Sequence, residues 1–421
     1  MSSIFLNKNM YKKEIVFFLI LYISLIISFF LGENSTGGAI GDYINQKKAA
    51  QEFASDFFGT FYEYDAYRTR HSPILIILLS FLERMNFSDF LIRLIHLHTC
   101  LLLPFLLYKC LDVKFNLIDK KILLFLSSLI FISPTFRSLA IWPDSRLLGL
   151  ILFVSSIYFF LKFENSKDFK FAIYNVIALA LSAYLSPNFA VFSIFFFIKF
   201  IFNYGVFSKK ILTLVIINLF LALPALYYLF ILDINFLLHT AAIGIQENER
   251  IFFNNLFNDI LITFSIIFFY LIPFIFFKII RIDNILDIKI ILISIFIFLV
   301  CVFNFDYNYL YSGGGIFFKL SYYFFNNNYL FYFISFFAIF ITCSLLLKNY
   351  LNILLFILII LNNPQYTIYH KYFDPFLLIT FLTIFYFNVD LKKIFHAKNF
   401  FFIFTYFLVF LIISNLKSFY V

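Results

Sequence analysis

Asp42 stands at the end of a glycine-rich turn, Gly37-Gly38-Ala39-Ile40-Gly41, about ten residues past an apolar segment covering residues 15–31. A carboxylate held at a membrane surface by a helix is placed to act as a general base or as a metal ligand. Between residues 32 and 73 the chain also carries Glu33, Glu52, Asp56, Glu63, Asp65, Lys47, Lys48, Arg68, Arg70 and His71, whereas most of the remainder is Phe, Ile and Leu. Chemistry on ionised groups needs water and charge, so this stretch is where a site is to be sought. The arginines add a second signal. Seven of the eight, Arg68, Arg70, Arg84, Arg93, Arg137, Arg146 and Arg250, fall on the side of the membrane that carries Asp42, by the topology derived below. Guanidinium forks suit phosphate or carboxylate recognition. The other reading is that they pair with loop acids or lipid headgroups.

The elements that must position these residues follow from composition. The chain is 63% hydrophobic and 13% charged, with a mean hydropathy of +0.95. That is the composition of many membrane spans, each needing about twenty mostly apolar residues. The pattern predicts an all-α integral membrane protein with about thirteen transmembrane helices, over residues 15–31, 90–108, 121–133, 146–161, 171–186, 188–203, 211–231, 256–277, 288–304, 329–347, 350–362, 375–388 and 399–416. About 20 of the 32 basic residues, nearly all lysine, then fall in short turns on one side. By the positive-inside rule those turns are cytoplasmic, the N-terminus is inside, and the first loop is extracytoplasmic. The net charge of +9 is thus an orientation signal and does not indicate nucleic acid. The first apolar run is longer than a signal-peptide core and is followed by no clear cleavage site, so it reads as a retained anchor. Cys100, Cys110, Cys301 and Cys343 lie in or beside apolar segments, which indicates neither a disulfide framework nor a thiolate metal site.

The larger loops lie on the outer side, at 32–89, 134–145, 232–255, 305–328 and 363–374, and no internal repeat is visible. A single polytopic unit over 1–421 is the simplest organisation. Within the first outer loop, Ala50, Phe53, Phe57 and Phe61 recur at helical spacing, with Gln51, Glu52, Ser55 and Asp56 at other positions. This predicts an amphipathic surface helix over 45–64 with its aromatic face in lipid. The apolar run 74–82 is too short to span and dips into the outer leaflet or packs on the bundle. Trp142 reads as an interfacial anchor, His96 and His98 as partnered core histidines, and Gly313-Gly314-Gly315 as a hinge or close-packing turn.

As an ordered set, Asp42, an amphipathic helix and His71-Ser72-Pro73 opening an apolar run resemble the GT-C superfamily of membrane glycosyltransferases, including the protein O-mannosyltransferase and lipid A aminoarabinose transferase families. Ser133-Pro134-Thr135-Phe136-Arg137 and Trp142-Pro143-Asp144-Ser145-Arg146 resemble their second outer loop, and Tyr369-His370-Lys371-Tyr372-Phe373-Asp374-Pro375 a late one. The chain departs from the pattern where Tyr43 replaces a glutamate and Ser72 a proline. The resemblance implies a polyprenyl-phosphate-linked sugar as donor, a lipid, glycan or protein hydroxyl as acceptor, and Asp42 as general base. Arg68, Arg70, His71, Arg137 and Lys371 are then candidates for holding the leaving phosphate, with Asp144 beside them. A divalent metal at Asp42 or Asp144 is compatible with the chemistry, but the dense carboxylate or histidine cluster of such a site is lacking. The retained anchor and outward site suit a bacterial inner membrane; an endoplasmic reticulum membrane has the same physical form. The rival functions are a lipid-linked oligosaccharide flippase or transporter, which predicts ionisable residues buried within spans, an O-antigen polymerase or ligase, which usually places its large loop late, and a non-enzymatic assembly subunit.

Overall fold

The computed structural model describes residues 12–64, 73–116, 120–231, 255–282, 287–308, 313–363 and 367–420. Apolar backbone can satisfy its hydrogen bonds in a bilayer only within helices or closed barrels. Among the described residues the chain takes the helical solution and has no β-strand, only an isolated antiparallel bridge between Ile280 and Val389. It divides into two compact units, residues 1–241 with 407–421 and residues 242–406.

The first unit begins with α1 (Lys12–Leu31), followed by three helices in the predicted loop: α2 (Ala39–Ser55), α3 (Phe57–Tyr62) and α4 (Ile74–Arg84). Then come α5 (Asp89–Cys100) and α6 (Leu102–Phe115), which together make one membrane-length helix. α7 (Lys121–Ser128) continues as a 3-10 turn to Ile132 and meets α8 (Pro134–Ile141) at a bend of 66°. Sequence sets that bend. Pro134 cannot continue the preceding turn, and Ser133 restarts the helix by accepting from the Phe136 amide at 3.0 Å. α9 (Ser145–Ser166) and α10 (Phe169–Leu185) pack as a hairpin in which polar groups bridge backbones. Ser182 donates to the Gly149 carbonyl at 2.7 Å and Asn175 to that of Ser156 at 2.9 Å. A β-carbon on Gly149 would lie 2.8 Å from the Ser186 side chain, so the small residue permits the close approach. α11 (Ser193–Tyr204) and α12 (Lys209–Phe230) complete the run.

The second unit contains α13 (Leu256–Phe276), α14 (Ile288–Phe303), α15 (Gly315–Phe325), α16 (Tyr329–Leu346), α17 (Tyr350–Leu361) and α18 (Phe376–Thr383). α13 is largely buried and packs on α14, α15 and α16. α19 (Ala397–Tyr420) starts in this unit and ends in the first.

Among the described residues seven helices are long and apolar enough to cross a membrane, eight if the bent pair is one span. The sequence pattern predicted thirteen. Four of those segments form apolar helices of 10–17 residues, and 375–388 yields only the eight-residue α18. At 1.5 Å per residue a 12-residue helix such as α17 covers roughly 18 Å of a hydrocarbon core about 30 Å thick.

Two loop expectations also change. The aromatic face of the amphipathic segment does not face lipid: Ala50 and Phe53 are fully buried in a cluster with Leu75, Ile76 and Leu79 of α4. The segment breaks at Asp56, whose backbone is extended and whose carboxylate caps α3 by accepting from Gly59 at 3.0 Å. α4 packs on its neighbours, one of the two alternatives for the 74–82 run. Residues 134–141, predicted to be a loop, are instead α8, with all eight residues buried.

Candidate functional site

The turn that carries Asp42 is fastened to α8. Ser35 donates to the Pro134 carbonyl at 2.8 Å and lies 2.9 Å from the Ser138 hydroxyl, which in turn accepts from the Thr36 amide at 3.0 Å. Arg137 makes the strongest tie. Its Nε donates to both Glu33 oxygens at 3.0 and 2.9 Å, and its Nη2 lies 2.8 Å from Oε2. Nη1 donates to the Ser24 hydroxyl and the Phe131 carbonyl, both at 3.1 Å, and Nη2 to the Ser24 carbonyl and the Ser28 hydroxyl. The side chains are 5% and 8% exposed, so this is a buried ion pair. Burial alone raises the Glu33 carboxyl, but the Arg137 bonds outweigh it and hold the group below the usual carboxylate value. Every nitrogen of Arg137 is engaged by protein, so the side chain predicted to meet a phosphate is a brace. Through it the segment that leads from Glu33 to Asp42 is tied to α8.

From this brace the chain turns through Gly37, at φ +78°, into α2, where Asp42 sits half-buried in the first turn. Tyr43 is buried on the adjacent face and donates its hydroxyl to Asp89 Oδ1 at 2.7 Å; Lys47, one turn on, donates to the same oxygen at 2.8 Å. Burial, and then the Asp89 carboxylate, push the Tyr43 phenol well above its ordinary value, so it stays protonated as a donor. Asp89 is itself placed by Ser88, which caps α5 by accepting from Leu91 at 3.3 Å. One turn along α5, Arg93 lays its guanidinium over the Trp142 ring at 3.6 Å and donates from Nε to the Ile141 carbonyl at 3.1 Å. Trp142 is fixed by donating to the Glu33 carbonyl at 3.0 Å and by Tyr43, 5.9 Å between ring centroids. The result is a carboxylate on α2 next in sequence to a cluster of one anion, Asp89, and two cations, Lys47 and Arg93.

The remaining predicted residues fall elsewhere. Asp144 is buried and caps α9, accepting from the Arg146 amide at 2.7 Å, with the Arg146 guanidinium 3.9 Å away. Lys371 belongs to the second unit, in a 3-10 turn over residues 370–372, its ammonium 5.2 Å from the Tyr369 ring. Beside it the half-buried His370 lies 3.1 Å from the Tyr270 hydroxyl, and burial of its ring pulls the imidazole down to about 3, so the ring is neutral. Arg68, Arg70 and His71 lie outside the described residues. Among the described residues no three histidine, cysteine or carboxylate side chains converge as metal ligands, at Asp42, at Asp144 or elsewhere. His96 is a partnered core histidine, 2.9 Å from the Leu139 carbonyl.

The sequence reading missed Tyr43, Lys47, Asp89 and Arg93 as a set. A signal existed: Tyr43 and Lys47 are four residues apart on one helix, as are Asp89 and Arg93 on another, which puts each pair on one face. Comparison of the chain with protein-family models, with curated proteins and with solved structures finds no match.

Proposed function

We propose that this chain is a membrane glycosyltransferase that moves a sugar from a polyprenyl-phosphate-linked donor to an acceptor hydroxyl on the extracytoplasmic face. The observation that carries the reading is the helix α2. It follows the first apolar helix, is clamped at its start by the Glu33–Arg137 brace, and holds a half-buried carboxylate, Asp42, one residue before Tyr43, which anchors it to the cationic cluster. A general base needs a fixed position and access, and a departing phosphate needs fixed positive charge nearby.

In this reading Asp42 takes the proton of the acceptor hydroxyl as the oxygen bonds to the anomeric carbon. The bond from that carbon to the phosphate oxygen breaks, and the electron pair leaves with the lipid phosphate. Arg137 holds the turn that carries the base, and Asp144 orders the start of α9. Arg68, Arg70 and His71 remain candidates for contact with the departing phosphate. The lysine-rich turns support an extracytoplasmic site, and a bacterial inner membrane suits it. The deciding experiment incubates purified protein with a labelled polyprenyl-phosphate sugar and a pool of hydroxyl acceptors. Label leaving the donor for an acceptor supports the reading; label that never leaves it in any acceptor pool sinks it.

A second reading, a lipid-linked oligosaccharide flippase, draws on the buried Asp259, bonded to Asn255 at 3.2 Å at the start of α13, and on Asn258, bonded to Asp306 at 2.6 Å. Ionisable groups inside membrane helices mark transport paths. Asp259 lies in the first turn, at the end of the apolar stretch, which favours the first reading. Translocation of a labelled lipid across vesicles without sugar transfer would reverse that order.

A further inference from the structure

We infer that the Arg93–Trp142 surface is the binding site for the phosphate of an isoprenoid lipid, the head of the donor in the reading above. The inference rests on that reading for the ligand's role and on the geometry below for its chemistry.

Arg93 is set apart from the other described arginines by lying flat on a tryptophan ring. Arg84 donates to the Phe53 and Ala54 carbonyls at the end of α2, Arg137 is saturated, and Arg146 and Arg281 sit beside Asp144 and Asp390. Arg93 makes one hydrogen bond among the described residues, from Nε, and its Nη2 is buried with no hydrogen-bond acceptor. Stacking on Trp142 does not replace that bond. The ring attracts the face of the guanidinium, whereas its N–H groups point out along the edge in the plane. A buried N–H without an acceptor is costly, and an arrangement that holds a planar fork flat with an edge unfilled is suited to an oxyanion supplied by a ligand.

The charge around it fits a phosphate. Asp89, the nearest anion on α5, already accepts from Tyr43 and Lys47 through Oδ1, and the formal sum of Lys47, Arg93 and Asp89 is one positive charge. Lys47 also has further N–H donors beyond the one given to Asp89.

The surroundings say what the phosphate is attached to. Arg93 lies 5.1 Å from the ring of Phe29, at the end of α1, and Phe29 packs edge-on against Phe30 and Phe90 at 5.7 and 5.4 Å. Phe30 is 70% and Leu31 79% exposed. A guanidinium beside Phe29, with exposed aromatic and aliphatic side chains next along the end of an apolar helix, fits an amphiphile, with its phosphate on Arg93 and its chain along the rings.

Trp142 is the only tryptophan in the chain and touches the guanidinium, so its fluorescence reports on the site. Purified full-length protein in detergent is titrated with farnesyl phosphate, and in parallel with farnesol, inorganic phosphate and phosphatidylglycerol. The expected result is a saturable change with farnesyl phosphate at concentrations where the other three give none. Arg93→Ala should weaken it about ten- to a hundredfold, the loss of one charge-assisted contact. Arg93→Lys, which keeps the charge without the planar fork, should fall between. Thermal melting of each variant identifies one that fails to fold, and Arg93→Gln then replaces it in the titration.

Farnesol matching farnesyl phosphate would show apolar binding alone and overturn the inference. Inorganic phosphate alone being sufficient would overturn the lipid assignment, and equal response to phosphatidylglycerol would reduce the site to a general headgroup contact. Folded Arg93 variants with unchanged affinity would also overturn it. Phosphate-dependent binding in a protein that transfers no sugar would leave this site standing and remove the glycosyltransferase reading instead.

Discussion

At the scale of residues, the carboxylates of the first loop have separate fates that their neighbours decide. Asp42 is half-buried in the first turn of α2, and Asp42→Asn is expected to lower sugar transfer by about 10²–10⁴-fold, since Asn keeps the shape but accepts no proton at neutral pH. Asp56→Asn should leave transfer near normal, because Asp56 caps α3 and Asn caps as well as Asp. Transfer assays in the same detergent check both; an Asp42→Asn enzyme retaining more than about a tenth of the rate removes the base assignment. Glu33 is a stability residue. Arg137→Ala leaves its carboxylate buried without its charged partner and should cost about 3–5 kcal/mol in unfolding free energy, read from denaturant or thermal melts. The folded-state value of Glu33 is lowered, so the stability it adds is present above the unfolded carboxyl value of about 4.3 and is lost as pH falls through the lower folded value. Glu33→Gln should therefore flatten the acid limb of the stability profile. An unchanged limb would show that the pair does not govern acid stability.

Elements are joined by backbone positions that tolerate little. Gly313 has φ +100°, and a β-carbon there would lie 2.5 Å from the Ile368 carbonyl oxygen; its neighbour Gly314 donates to that same oxygen at 2.8 Å. The triple glycine is a close-packing turn that starts α15 against the chain at 368. Gly37 is also left-handed at φ +78°, but nothing lies within 4 Å of its would-be β-carbon. Gly37→Ala should then carry only the conformational penalty, about 1 kcal/mol, while Gly313→Ala adds a clash with fixed backbone and should destabilise by more. Melting temperatures of the two variants decide this, and equal shifts would mean that the 368 segment moves aside. The same scale shows why the partner of α2 was not legible. The spacing of Ala50 and Phe53 identifies an apolar face, but lipid and the Leu75–Leu79 face of α4 are equally apolar. Periodicity tells which residues share a face and is silent on what covers it.

For the whole molecule the charge distribution predicts a topology. Cysteines placed at Lys48 and at Lys209, both exposed, should react with a membrane-impermeant reagent from opposite sides of sealed vesicles, Lys48 on the extracytoplasmic side. Labelling of both from one side would sink the orientation and the extracytoplasmic site together.

The sequence by itself determined the class, a multi-pass helical membrane protein, because hydropathy and charge are sums over residues and need no partner to be read. It also determined where charge concentrates. Tertiary structure decided what those charges do. Arg137 and Arg93 are the same residue type, both within the arginine-rich side of the chain. One is consumed by Glu33, Ser24, Ser28 and Phe131, while the other lies flat on Trp142 with a buried N–H left without an acceptor. No local pattern separates them, because a guanidinium is defined by which acceptors surround it. Those acceptors come from α1, the residue Glu33 just past it and the 3-10 turn at Phe131 for Arg137, and from the end of α8 for Arg93, whose course is set by the 66° bend at Ser133-Pro134.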